Sequence, residues 1–549
     1  MCRSDTDRKE EGIKKASDRE KKNGISRVKR SVLSGVFILT ASNLLVKIIG
    51  LLFKIPMNYI VGDTGMGYFG SAYSIYTFLY MLSTSGLPVA LAVMVSERRA
   101  TGNVTAAKTV YRCALLIFAV IGLLTACLML FAADFLAELI RSDKSAMAVA
   151  VTAPTMLFIC ISSALRGYFQ GCGSMVQTAV SQLIEAAGKL IIGVCGAMYA
   201  VRMGYEIHIV AAYAVSGLTI GSLAGMIYLM FAKFLRGDRD LMPDDLLLRN
   251  EEENRASILK RFVEISVPIT ISASVMSLTA MIDTAMIQRV LQRSGMEAEL
   301  AAALFGNYTS IAVPMFNLPP VFVYPIAYSL VPSVAAALSA GLRDKAERAI
   351  ELSLRTAVII GLPCAAGLSV LSGPILRLFY RTESAEMASP LLSILAPSSL
   401  LVCILAVTNS VLQSSGEERR PVVSMLFGAA VKCVSSVILL RKFGIAGAPM
   451  STFLCYLTVT ALNLMFVVKC TGIKPDFAGA FVRPAISAAV CAAAAFFGYM
   501  LFSQIMPDKA ACLVSIITAA IIYAAALFIT RAVTMDEINE LRTGRKIQK

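Results

Sequence analysis

The sequence predicts an all-α polytopic membrane protein with about fourteen transmembrane helices, arranged as two pseudo-symmetric six-helix lobes followed by two C-terminal helices. Hydrophobic residues make up 57% of the 549 residues and charged residues only 16%, which is more apolar surface than a soluble core can bury. Apolar runs of about 20 residues, the length that crosses a bilayer, recur between residues 32 and 530. The alternation typical of strands is absent, so helices must satisfy the backbone.

An internal repeat predicts the two lobes. Residues 170–189 and 413–432 align at one constant offset, and the identical pairs are Gln170/Gln413, Gly173/Gly416, Val180/Val423, Ser181/Ser424, Leu183/Leu426, Ala186/Ala429, Ala187/Ala430 and Lys189/Lys432. Pro88-Val89-Ala90 has a similar match in Pro325-Ile326-Ala327. Spans 1–6 and 7–12 are therefore predicted to be two copies, and because each contains an even number of spans, their pseudo-two-fold axis should follow the membrane normal.

The predicted spans follow the apolar runs in order. Span 1, residues 32–53, is too long for the core of a signal peptide and stays as a helix. Spans 2–14 are residues 68–95, 109–131, 147–168, 177–201, 209–232, 262–288, 303–337, 352–373, 387–412, 421–440, 447–468, 480–504 and 511–530. Span 8 contains five prolines and is expected to be broken or bent.

Polar segments divide the chain into six parts. The predicted parts are a basic cytoplasmic tail at 1–31, an N-lobe at 32–235, a cytoplasmic linker at 236–261, a C-lobe at 262–470, helices 13 and 14 at 471–531, and a cytoplasmic tail at 532–549. The first tail is charge-dense and poor in apolar residues, so we expect it to be mostly disordered.

The distribution of lysine and arginine predicts the orientation. Loops after even-numbered spans are richer in these residues than the intervening loops, which places both termini in the cytoplasm of a multi-pass protein of the cell membrane. The formal net charge of +15 then fits attraction to anionic membrane lipids and requires no nucleic-acid partner. We expect a monomer.

Three lysines, Lys47, Lys189 and Lys432, lie within apolar spans. Together they would cost roughly 7–10 kcal/mol if they faced lipid, so they should face a hydrated cavity or pair with acids. The chain is thus predicted to move something anionic. Lys189 keeps a second interpretation, because Glu185 precedes it by one helical turn and could neutralise it, whereas Gly428 holds the corresponding place before Lys432.

Three further charged residues are candidates for the site. Arg166 and Lys54 lie near span ends and could reach the cavity or extend to lipid headgroups. Asp283 in span 7 should lie near the position related to Lys47. We expect it to pair with a cavity lysine in one conformation and to release it, or bind H⁺ or Na⁺, in another; a static ion pair is the alternative.

Several motifs carry a resemblance to a known family. The run Arg166-Gly167-Tyr168-Phe169-Gln170-Gly171, the span-7 run Leu278-Thr279-Ala280-Met281-Ile282-Asp283-Thr284 and the segments at 62–67 and 83–90 resemble the stage V sporulation protein B and YtgP branch of the multidrug/oligosaccharidyl-lipid/polysaccharide (MOP) exporter superfamily. MurJ-like lipid II flippases belong to this branch. The resemblance covers roughly residues 32–530.

The resemblance implies translocation of an undecaprenyl-pyrophosphate-linked saccharide for cell-wall synthesis, with lipid II as the leading candidate. In MurJ-like relatives a span-1 arginine three positions before glycine helps bind the pyrophosphate, and Lys47 before Gly50 holds that place here. The arginine pair that those relatives carry late in span 2 is missing from residues 76–85.

Two other functions stay open. One is a cation-coupled multidrug exporter of the same superfamily, which fits less well because lysines outnumber carboxylates within the spans. The other is a membrane glycosyltransferase or polymerase, but the single histidine, His208, and scattered loop acids offer no catalytic or metal-binding cluster, so we predict that the chain is not an enzyme. No cofactor is expected; without a Walker-type loop, the membrane potential or an ion gradient is left as the energy source.

Overall fold

The computed structural model describes residues 4–237, 254–339, 341–472, 481–530 and 532. In this part of the chain every regular element is helical. The α-helices are α1 Ser4–Thr84, α2 Leu87–Ala100, α3 Val104–Phe131, α4 Ala133–Leu139, α5 Ala146–Gly171, α6 Val176–Arg202, α7 Ile207–Arg236, α8 Arg255–Arg293, α9 Ala298–Gly306, α10 Val313–Phe316, α11 Leu318–Ser339, α12 Arg343–Val370, α13 Ser372–Phe379, α14 Thr382–Leu395, α15 Pro397–Ser414, α16 Arg419–Phe443, α17 Gly447–Thr471, α18 Arg483–Phe502 and α19 Asp508–Ile529.

Helix α1 joins the basic tail, predicted span 1 and most of span 2. The tail is helical from Ser4, so the expectation of disorder is wrong; lysine, arginine and glutamate are good helix formers, and the tail continues directly into span 1. Gly62 breaks α1 with φ 67° and ψ −175°, a left-handed conformation that glycine adopts at little cost. We call the end of the bundle at this break the Gly62 end, and the opposite end, where α7 stops and α8 begins, the linker end.

The apolar helices are long enough to cross a membrane many times. Among the described residues, ten helical segments qualify by length and hydropathy, or eleven if the bent pair Ala298–Phe316 and Leu318–Val331 forms one span. Two of the ten, Ala41–Ala100 with 60 residues and Arg419–Thr471 with 53, are far longer than the roughly 20 residues that one crossing needs. A polytopic helical membrane fold is thus confirmed, while the number fourteen stays a prediction.

The two predicted lobes each contain their own buried apolar clusters. In the N-lobe, α6 packs against α7 on one side and α1 on the other, while α5 packs against α3 and α7. In the C-lobe, α16 packs against α17 and α8, and α15 packs against α11 and α12. Helix α7 ends at Arg236, close to the predicted N-lobe boundary. Helix α8 begins at Arg255, inside the predicted linker, and residues 238–253 lie outside the described residues.

Predicted span 8 is broken, as its prolines indicate. It consists of α9, a π-helical segment Asn307–Ala312, the single turn α10 and then α11, and its two halves differ in direction by 42°. Proline removes a backbone donor and crowds the preceding turn, and π-helical segments occur preferentially at functional sites.

The last two helices pack on the C-lobe. Helix α18 contacts α12 and α19 contacts α13. At the Gly62 end, the Arg377 guanidinium of α13 lies 2.8 Å from the Asp508 carboxylate of α19 and donates to the Tyr499 hydroxyl of α18 at 3.0 Å. Near the opposite end, Arg355 of α12 donates to the carbonyl of Ala532. Helices α18 and α19 are therefore attached to the C-lobe near both of their ends.

Candidate functional site

Lys47 and Lys54 lie two turns apart on α1 and both reach residues of the C-lobe. The Lys47 ammonium lies 4.6 Å from the centroid of the Tyr324 ring in α11, and Lys47 itself is exposed. The Lys54 ammonium donates to the carbonyl oxygen of Thr309 at 3.0 Å. Thr309 belongs to the π-helical segment. Lys54 therefore lies between the lobes and has no carboxylate partner among the described residues.

Lys189 of α6 lies against three aromatic rings of α1. Its ammonium is 4.1 Å from the centroid of Tyr73, 5.1 Å from that of Phe53 and 5.7 Å from that of Phe69. Ring faces attract cations through their quadrupole, more strongly when water is scarce. The ammonium of Lys54, next to Phe53 in sequence, is close enough to repel that of Lys189. Two uncompensated positive charges thus share one region.

Glu185 pairs with Arg166 and not with Lys189. The Arg166 guanidinium lies 2.8 Å from the Glu185 carboxylate and donates through Nε to the Ser181 hydroxyl at 3.0 Å. Neutralisation of Lys189 by the acid one turn earlier is therefore not what the structure shows, because α5 brings a stronger, multi-donor partner to Glu185. Arg166 is buried, so it does not extend to lipid headgroups either.

Lys432 and Asp283 form a buried ion pair within the C-lobe. The ammonium of Lys432 in α16 lies 2.7 Å from Asp283 Oδ2 in α8, with side-chain exposures of 3% and 10%. The Tyr308 hydroxyl donates to the same oxygen at 3.4 Å and lies 2.9 Å from the Thr452 hydroxyl. Asp283 Oδ1 is buried without a hydrogen-bond partner, so the carboxylate is only half satisfied.

The repeat-related lysines have different surroundings. Lys432 lies beside the Asp283 carboxylate, whereas Lys189 lies over the Phe53 ring. The C-lobe lysine is neutralised, and the N-lobe lysine is left with aromatic rings.

An aromatic stripe on α1 extends this N-lobe surface. Phe69, Tyr73, Tyr76 and Tyr80 follow one another with ring centroids 5.8, 5.8 and 5.9 Å apart. Their spacing of four, three and four residues places them on one helix face. We did not single them out from the sequence, although this periodicity was readable there.

Asp63 is a further residue at this site for which no role was predicted. Directly after the break at Gly62, its carboxylate accepts hydrogen bonds from Asn58 at 2.9 Å, from Ser384 at 2.6 Å and from Asn307 at 3.3 Å. Asn58 belongs to the N-lobe, whereas Asn307 and Ser384 belong to the C-lobe. Asp63 therefore ties the lobes together at the Gly62 end.

Close backbone packing and further polar contacts hold the lobes at this end. A Cβ at Gly67 would collide with the carbonyl oxygen of Ala302, and one at Gly306 would collide with that of Asp63. Lys144 lies 2.6 Å from Glu299 across the lobes.

The lobes also meet toward the linker end, where the Glu97 carboxylate of α2 lies 2.7 Å from the Arg261 guanidinium of α8. Lys47 of α1 contacts the Tyr324 ring of α11, so these two helices face each other across the lobes.

Relatives of known name share most of the chain. The curated Bacillus subtilis (strain 168) relatives include stage V sporulation protein B, 26% identical over 446 residues that cover 80% of this chain and 84% of the relative. Lipid II flippase MurJ of the same organism is 23% identical over 458 residues, with 80% and 83% covered. The uncharacterized membrane protein YabM is 28% identical over 437 residues, 79% of each chain.

Solved structures share the fold. Lipid II flippase MurJ in an inward closed conformation superposes with a TM-score of 0.66 at 14% identity, covering 93% of this chain and all of that one. An inward-facing multidrug resistance MATE family transporter of the MOP superfamily gives 0.65 at 15% identity, covering 78% and 94%. The MurJ relative and the MurJ structure are named as flippases, and the MATE structure is named as a transporter.

The family itself follows from the extent of the match. Residues 32–338 match the family described as polysaccharide biosynthesis protein, and residues 268–438 match the MatE family. The first match spans more than half of the chain and includes Lys47, Lys54, Lys189 and Asp283. The chain is therefore a multi-pass helical membrane protein and belongs to the polysaccharide biosynthesis protein family.

Proposed function

We propose that this protein is a transporter of the MOP superfamily and that it flips an undecaprenyl-pyrophosphate-linked saccharide, foremost lipid II, from the cytoplasmic to the outer leaflet of the cell membrane. The observation that carries the proposal is a group of three lysines, Lys47, Lys54 and Lys189, that have no carboxylate partner in the described part of the chain. Lys47 and Lys54 reach the C-lobe from α1, and Lys189 faces the aromatic rings of α1. A lipid pyrophosphate brings about two negative charges into a region of scarce water, where such cations are the natural ligands.

The aromatic surroundings support release as well as binding. Lysine is a compact, mobile point charge, whereas a bidentate arginine would hold phosphate more rigidly. Cation–ring attraction keeps Lys189 oriented without neutralising it, so its charge stays available to an anionic headgroup. The Tyr73–Tyr76–Tyr80 face offers flat amphipathic surfaces beside this charge for a bulky polar headgroup.

The Lys432–Asp283 pair is proposed as the coupling element. Its side chains join α8 to α16 inside the C-lobe, and the free oxygen Oδ1 can accept a proton or approach a sodium ion when the pair opens. Opening of the pair would free Lys432, so that the C-lobe as well as the N-lobe would have an available lysine at this repeat-related position. In this scheme the N-lobe lysine is ready in the present conformation and the C-lobe lysine becomes ready in another.

The predicted membrane orientation indicates on which side of the membrane the site is closed in this conformation. With both termini in the cytoplasm, the Gly62 end faces outward, and the contacts of Asp63 and Gly67 close the outer side. Rocking of the lobes about the central site would then exchange access between the two leaflets. Each molecule contains both lobes, so a monomer suffices for this cycle.

A leaflet assay in cells tests the proposed function. Depleting the protein from its own cells, together with any flippase that acts in parallel, should accumulate the lipid-linked precursor in the cytoplasmic leaflet, measured by its protection from an externally added enzyme or label. Re-expression should restore outer-leaflet precursor. Normal outer-leaflet amounts after depletion would refute this function.

The multidrug-exporter alternative rests on the match to the MatE family and on the MATE-like fold. An organic cation would need a free carboxylate in the cavity, whereas Asp283 is bound to Lys432 and Glu185 to Arg166. Proteoliposomes loaded with a cationic dye should therefore show no gradient-driven efflux; efflux that depends on Asp283 would favour this alternative.

A further inference from the structure

A second basic site lies away from the central lysines. A cavity of about 550 Å³ opens between α8 and α16 at the Gly62 end. Its inner wall is mainly apolar and includes Ile282, Val290 and Val437, while Arg289, Arg293 and Arg441 line it near the ends of the two helices. From Ile282 to Arg293 the wall extends for three helical turns, about 16 Å at 1.5 Å per residue.

The positive charge of this cavity is not neutralised by the protein. Among the described residues, none of the three arginines pairs with a carboxylate. The Arg289 guanidinium donates through Nη2 to the carbonyl oxygen of Leu139 at 2.5 Å, and its Nε is buried without a hydrogen-bond partner. Arg293 and Arg441 are exposed. A buried donor without a partner is costly, so an acceptor brought by a ligand would be stabilised here.

The shape and chemistry of the cavity fit a phospholipid. Guanidinium groups bind phosphate oxygens through planar, charge-assisted hydrogen bonds. The apolar wall below them has the length of part of an acyl chain, and the arginines lie at the ends of the two helices, where a phosphate headgroup above an acyl chain would reach them. A soluble phosphate would use the arginines but leave the apolar wall empty.

We propose that this cavity binds one membrane phospholipid, with its phosphate among Arg289, Arg293 and Arg441 and one acyl chain along the apolar wall. Ile282 and Cys433 in the wall adjoin Asp283 and Lys432 in sequence. The lipid therefore sits directly behind the buried ion pair and braces α8 against α16. This site needs no saccharide and is independent of the proposed transport function.

Native mass spectrometry of the full chain in detergent tests the proposal, with dioleoyl phosphatidylglycerol as the probe. The wild type should retain one tightly bound lipid. The double variant Arg293→Gln/Arg441→Gln should bind this lipid at least tenfold more weakly, because two of the three phosphate donors are lost. Lys442→Gln is the matched control, since the Lys442 ammonium lies instead 5.4 Å from the Phe443 ring; it should bind the lipid as the wild type does.

A second variant separates lipid from free phosphate. Val437→Phe fills the apolar wall but keeps all three arginines, and it should weaken lipid binding while leaving the folded protein monodisperse. Millimolar inorganic phosphate should not displace the lipid from the wild type. Equal lipid binding by the wild type and the double arginine variant would overturn the proposal, as would full displacement by inorganic phosphate.

Discussion

Lys189 and Lys432 occupy related positions of the two lobes, yet only Lys432 is neutralised. Lys432 lies 2.7 Å from a carboxylate, whereas Lys189 faces rings. The sequence placed both lysines in apolar helices and predicted that Asp283 pairs with a cavity lysine, but it could not say which of the lysines is the partner. The i, i+4 spacing favoured Glu185 as the partner of Lys189. In the structure, α5 instead places Arg166 next to Glu185. Local spacing does not contain that information.

The buried ion pair between Lys432 and Asp283 leads to a prediction about thermal stability. Asp283→Asn keeps the shape of the side chain but removes its charge, leaving the Lys432 ammonium buried without compensation. Breaking a buried pair in this way costs about 3–5 kcal/mol, so the variant should unfold at clearly lower temperature. The chain contains no tryptophan, so heating followed by size-exclusion chromatography of a fluorescent fusion is a suitable measurement.

The double variant Asp283→Leu/Lys432→Met is the control for this prediction. Replacing both charges with apolar side chains removes the uncompensated ammonium, and it should recover most of the lost thermal stability. If Asp283→Asn were as stable as the wild type, the pair would not be a desolvated one. The double variant should nevertheless lose transport if the pair couples ions to flipping.

Predicted span 8 and helix α1 show which features of a helix can be predicted from sequence. The prolines of span 8 correctly predicted a bend, because each removes a backbone donor. The π-helical segment Asn307–Ala312 was not predicted, since nothing in its composition distinguishes it from an ordinary turn. The aromatic stripe of α1 was readable from periodicity alone, but its meaning depends on Lys189 approaching from α6.

Close packing of α1 against α9 makes a conformational prediction. A valine at Gly67 would collide with the backbone of Ala302, so Gly67→Val should oppose closure of the Gly62 end and favour the conformation open there. Gly50→Val is the matched control in the same helix, because a Cβ at Gly50 meets nothing within 4 Å.

Cysteine labelling measures this effect. In a cysteine-free background, a single cysteine at Ser384, which contacts Asp63 between the lobes, should react faster with a membrane-impermeant maleimide in Gly67→Val than in Gly50→Val. Equal labelling rates in the two variants would show that the glycine contact does not control closure.

At the scale of the whole molecule, the lobes are held together at the Gly62 end, and the proposed transport cycle requires them to separate there. Lys144 and Glu299 face each other across the lobes at 2.6 Å. In a cysteine-free background, Lys144→Cys/Glu299→Cys treated with a reducible bifunctional thiol reagent should stop flipping in proteoliposomes, and reductant should restore it. Glu417→Cys/Arg420→Cys, one turn apart within the C-lobe, should flip normally after the same treatment; inhibition of both pairs would contradict lobe separation.

The all-helical fold and the two C-terminal helices could be predicted, because apolar length is a property of the sequence itself, while the two-copy arrangement stays a prediction. The attachment of α18 and α19 to the C-lobe through Arg377 and Arg355 could not, since it depends on contacts between distant segments. The same holds for the contacts of Asp63 with Asn307 and Ser384 at the Gly62 end, because these two partners lie far along the chain.

The most direct test of the central claim is flipping by charge-removal variants in proteoliposomes that contain an undecaprenyl-pyrophosphate-linked saccharide. Lys54→Gln/Lys189→Gln removes two lysines that have no carboxylate partner among the described residues and should lower the flipping rate at least tenfold, while Lys442→Gln should leave it unchanged. Thermal stability of the double variant should stay close to that of the wild type, because neither lysine is part of an ion pair. Flipping by Lys54→Gln/Lys189→Gln at the wild-type rate would contradict the account.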